Sequence, residues 1–79
     1  MNVYLATFHS HFDALSYCSA LKDRGIAARL MPVPRKISAS CGTSVSYAHG
    51  GSAIEVDGLE PEAVYLEANG ALELVFRAP

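Results

Sequence analysis

The chain has no tryptophan, only two cysteines and four prolines, and 18% of its 79 residues are charged. Two thiols are too few for the disulfide framework that staples small secreted domains, so Cys18 and Cys41 read as reduced cysteines. No apolar run approaches the roughly 20 residues that a bilayer span requires. The opening residues, MNVYLATFHSHFD, offer neither a basic start nor a small-residue cleavage site. A cytoplasmic, soluble protein with no membrane contact is the expectation. The chain also lacks a run of Lys and Arg and any interleaving of basic with aromatic residues, which leaves nucleic-acid binding with little support.

What is present is a globular composition, 51% hydrophobic, and a length that allows one layer of helices on one sheet. A single domain over residues 1–79 is expected. The formal charge of −2 hides an asymmetry. The first 49 residues carry Lys22, Arg24, Arg29, Arg35 and Lys36 against Asp13 and Asp23. The remainder carries Arg77 against Glu55, Asp57, Glu60, Glu62, Glu67 and Glu73. Cys41 falls in the basic part.

Residues 3–8 form an apolar run with β-branched and aromatic members and read as a buried strand. Ser10 then resembles a helix N-cap with Asp13 three residues on. The helix should cover residues 11–24, with Ala14, Leu15, Cys18 and Leu21 on one face and Gly25 as its left-handed stop. A second strand is expected over 27–31, ended by Pro32 and Pro34, and a third over the alternating segment 43–49. Gly50-Gly51 permits a turn, after which residues 53–56 read either as a returning hairpin arm or as loop. Pro61 suits the first turn of a second helix through Glu62, Ala63, Val64, Leu66 and Ala68, with Asn69-Gly70 as its end. Residues 71–76 alternate as a last strand. The order strand, helix, strand, strand, helix, strand predicts an α+β fold of the ferredoxin-like βαββαβ plan, a four-stranded antiparallel sheet with two helices on one face.

Residues 32–42, PVPRKISASCG, belong to no regular element and hold the densest chemistry. A cysteine reacts as its thiolate, which nearby cations and backbone N–H groups favour. Arg35, Lys36 and the amides of residues 40–42 are the candidates for that role, and Gly42 leaves the backbone beside the sulfur open. Pro34-Arg35, Ser38, Ser40 and Cys41-Gly42, following a second strand, resemble a bacterial and archaeal domain family described as selenium/sulfur-carrier-like. The resemblance is strongest over residues 3–47 and is not carried past the glycine-rich stretch 50–52. It implies a small accessory protein that carries sulfur or selenium on Cys41 as a persulfide or selenopersulfide, within a sulfur relay of donor and acceptor proteins. Arg35, Lys36, Ser38, Ser40 and Gly42 would then bind an anion or the donor.

A carrier cysteine needs access and a mobile loop, not its own base or oxyanion hole, so an enzyme in its own right is not expected. No cofactor is implied. The rival reading is a non-catalytic ligand-binding or protein-interaction module, since such folds host many of these. At Cys18, on the apolar helix face, a small core hydrophobe is the expected role, with pairing to Cys41 as the alternative. Ser38 and Ser40 equally serve a turn, and Arg35 a solvated charge. His9, His11 and His49 match no closed zinc spacing, so no metal is expected. If Phe8, Val45 or Tyr47 faced the open side of the sheet, a second copy would cover them, which points to a homodimer.

Overall fold

The computed structural model describes residues 1–50 and 58–79; the segment 53–56, left open between hairpin arm and loop, lies outside them. Its elements are β1 (Asn2–Thr7), α1 (His11–Asp23), β2 (Ala28–Pro32), β3 (Thr43–His49), β4 (Ala63–Ala68) and β5 (Ala71–Arg77). The five strands form one sheet in the order β2-β3-β1-β4-β5, every neighbouring pair antiparallel.

The helix forms where its capping residues place it. The Ser10 hydroxyl accepts from the Asp13 backbone N–H at 3.1 Å, satisfying one of the donors that a helix start leaves orphaned. At the other end Gly25 N–H donates to Lys22 O and Ile26 N–H to Leu21 O. That pair of bonds requires the left-handed φ of +78° at Gly25, an ordinary conformation only for glycine. Ala14, Tyr17, Cys18 and Leu21 form the buried stripe. Leu15, expected on that face, is exposed, because the three- and four-residue steps from Ala14 run through Tyr17 instead.

This stripe packs on Tyr4, Ala6, Phe8, Val45, Tyr47 and Val64 to form the main core. Tyr4 stacks on Tyr47 at 5.4 Å, and Tyr17 packs against both Phe8 and Tyr47. Burial, with Tyr47 beside it, pushes the Tyr17 phenol well above its ordinary value. Phe8, Val45 and Tyr47 thus lie under the helix, not on the open face where a second copy would cover them.

The ferredoxin-like four-stranded plan is overturned: the chain has five strands and one helix among the described residues. The segment expected as a second helix is β4. Its six residues would make fewer than two helical turns, whereas Val64 and Tyr65 suit a pleated surface. The Asn69-Gly70 pair is not a helix stop but a two-residue hairpin turn. Both residues have positive φ, +52° and +78°, the geometry that matches the twist of the strands it joins.

On the second face Leu5, Ala63 and Tyr65 form a smaller cluster, against which Met31, Ile37 and Leu72 pack. Ile37 comes from residues 33–42, the connection between β2 and β3. This connection is an arm folded across the sheet, closed at its neck by the Val33 N–H to Gly42 carbonyl bond and turned by Ile37 N–H to Pro34 O.

Candidate functional site

The sheet order places three chain segments together. β1 is central and both its neighbours run antiparallel to it, with Thr7 facing Ser44 of β3 and Ala63 of β4. The residues that follow β1 therefore meet those that precede β3 and β4. His9 to His11, Ser40 to Thr43 and Glu62 come to one end of the sheet, where α1 also begins.

Glu62 is the fixed point. Its N–H donates to Thr7 O at 2.7 Å and its carbonyl accepts from Ala78 N–H at 3.0 Å, so its backbone continues the ladder on both sides. Its carboxylate accepts from the Ser40 backbone N–H at 3.0 Å and, through a short bond, from the Ser40 hydroxyl. His9 Nδ1 lies 3.6 Å from the same carboxylate and 3.3 Å from Ser40 Oγ. The Ser40 hydroxyl first, then its N–H, with smaller help from His9 and Thr7, hold the Glu62 carboxyl below the usual carboxylate range against the opposing effect of burial. The side chain is only 17% exposed. Glu62 thereby latches the returning limb of the arm to the sheet.

Cys41 is the next residue. It is half-buried and a free thiol, and its S–H donates to the Thr43 carbonyl at 3.5 Å. Thr43 is in turn held through its side chain, whose Oγ1 shares a 2.8 Å hydrogen bond with His11 Nδ1. The sulfur thus sits between two anchored residues, Ser40 on Glu62 and Thr43 on His11. Gly42 is exposed and has no positive φ, and a side chain there would meet open space, so nothing crowds that flank of the thiol.

The other residues singled out in the arm are spread along it. Ser38 is exposed on its surface. Arg35 and Lys36 stand at its outer bend, where they line a groove with Leu5, Met31 and Leu72, and Lys36 Nζ donates to the Gly70 carbonyl at 3.4 Å. Ser40, Cys41 and Gly42 are brought to the thiol end; Arg35 and Lys36 are held by the far turn. Cys18 lies in the main core. His49 faces Asn2 at the opposite end of β1 from His9 and His11.

His9, His11 and Glu62 take part although the sequence pattern does not single them out: the histidines match no closed metal spacing, and Glu62 falls in the segment expected as a second helix. The signal for Glu62 was the Asn69-Gly70 hairpin turn, which converts the segment after Pro61 into a strand and places Glu62 at its entrance.

The fold and this end together define a small helix-on-sheet protein that presents a cysteine from a latched arm. The sequence matches, over residues 3–66, the family model described as "Putative Se/S carrier protein-like", and the chain belongs to that family. Comparison with curated proteins and with solved structures yields no match. No helix among the described residues is long and apolar enough to cross a membrane.

Proposed function

We propose that Cys41 accepts a sulfane sulfur or selenium atom from a donor protein and hands it to an acceptor, the chain acting as an accessory carrier in a reducing compartment. The observation that carries this reading is the half-buried free thiol of Cys41 held between Ser40 and Thr43, in a chain of the carrier-like family.

In the transfer the Cys41 thiolate attacks the outer sulfur of the donor persulfide. The donor S–S bond breaks, a new S–S bond forms on Cys41, and the donor leaves as a thiolate that takes up the proton Cys41 lost. Oxidation level is exchanged between the two proteins, so no external oxidant is consumed. Attack by an acceptor thiolate on the outer sulfur of Cys41 is the onward step, and selenium follows the same balance. His9 and His11 hold Ser40 and Thr43, the residues on either side of the Cys41-Gly42 pair in the chain. Ser38 and Gly42 remain exposed where a docking donor meets the arm.

Incubation with glutathione persulfide tests the reading. The native chain should gain about 32 mass units, one sulfur atom, and Cys18→Ala should gain the same, whereas Cys41→Ser should gain none. Uptake at Cys18 alone, or no uptake by the native chain, would overturn it.

A further inference from the structure

We propose that the second face of the sheet carries a binding groove for a small amphipathic anion, separate from the thiol end. The groove has a volume of about 470 Å³, within the ~300–1,000 Å³ typical of small-molecule sites. Leu5, Met31 and Leu72 give it an apolar lining, while Arg29 from β2 and Arg35 and Lys36 from the arm supply the charge. It lies toward the start of β1 and the turn at residues 69–70, where Leu5 and Arg29 both face Ser46. Cys41 is at the other end, beyond Thr7 and Ser44.

Charge complementarity identifies the occupant. Among the described residues, three of the six Lys and Arg line this one groove, against a single acid, Glu67, of six. The surplus is positive although the whole chain carries −2. Among the described residues no carboxylate is within ion-pair distance of Arg29 or Arg35. Gathering like charges without an acidic partner raises the local potential, and an anion relieves it. Lys36 is engaged with the Gly70 carbonyl and holds the wall in place. Arg29 and Arg35 therefore form the head-group pair, with planar forks that fit a carboxylate or phosphate. Leu5, Met31 and Leu72 take the apolar body. The concavity fits a free small molecule, since a stable protein partner would bury about 800 Å² on each side.

Titration of the isotope-labelled full chain with octanoate, followed by amide shifts, tests the assignment. Saturable shifts at residues 29–31, 35–36 and 70–72 are expected. Octanol, which lacks the charge, and acetate, which lacks the body, should each bind at least about tenfold more weakly. Combined Arg29→Gln and Arg35→Gln substitution should weaken octanoate about tenfold with the spectrum otherwise unchanged, and Glu67→Gln should tighten it about two- to threefold. Equal binding of octanol and octanoate, unchanged affinity in the double variant, or shifts confined to residues 40–43 would overturn the proposal.

Discussion

At the residue scale Cys41 is held through its own sulfur and through its neighbours in the chain. Its sulfur donates to the carbonyl of Thr43, while the preceding residue is tied to a carboxylate contributed from 22 positions away in the chain. Two charge-assisted bonds from Ser40 make Glu62 a positioning residue for the thiol. Glu62→Gln keeps the shape and removes the charge, so it should destabilise the fold by about 1 kcal/mol in urea unfolding and speed exchange of the Ser40 amide. Persulfide uptake on Cys41 should slow without being lost. Gly42 offers a contrast. With no left-handed φ and open space around its Cα, Gly42→Ala should change stability by no more than about 0.5 kcal/mol.

At the scale of elements, the hairpin turn between β4 and β5 separates what the sequence revealed from what it concealed. The helix, its Ser10 cap, its Gly25 stop and the strand at residues 43–49 were readable because each is encoded by local periodicity and capping chemistry. The β4 segment is ambiguous because a short apolar segment behind a proline satisfies a helix start and a strand start equally well. Only pairing with β1 decides between them. The same limit hid half of the candidate site. Ser40 and Cys41 are adjacent in sequence and were visible, but His9 and Glu62 reach them only through the central position of β1. If the turn sets this register, Gly70→Ala should cost about 1–2 kcal/mol, because φ of +78° is strained for any residue with a Cβ. Comparison of its urea midpoint with that of Gly42→Ala measures the difference directly.

For the molecule as a whole, pH acts on the latch with a defined sign. The Glu62 carboxyl lies below its ordinary value of 4.5 in the folded chain, so the unfolded chain binds this proton more readily. The stabilisation is therefore complete above about pH 4.5 and is lost as pH falls through the lower folded-state value. Urea midpoints from pH 7 to pH 3 should drop for the native chain below about pH 4.5. The gap between native and Glu62→Gln should close over that range and stay constant above it. The latch is thus fully formed at neutral pH, where carrier chemistry would take place. The arm spans both functional proposals, with its cations at the groove and its cysteine at the latched end, yet each stands on separate contacts. The central claim is that Cys41 carries a transferable atom, and mass spectrometry of the protein isolated from its native host tests it most directly. The account predicts a fraction of the chain heavier by about 32 or 80 mass units, one sulfur or one selenium atom, removed by thiol reductant and mapped to Cys41. Chains carrying only an unmodified Cys41 thiol, under conditions where the donor is active, would contradict it.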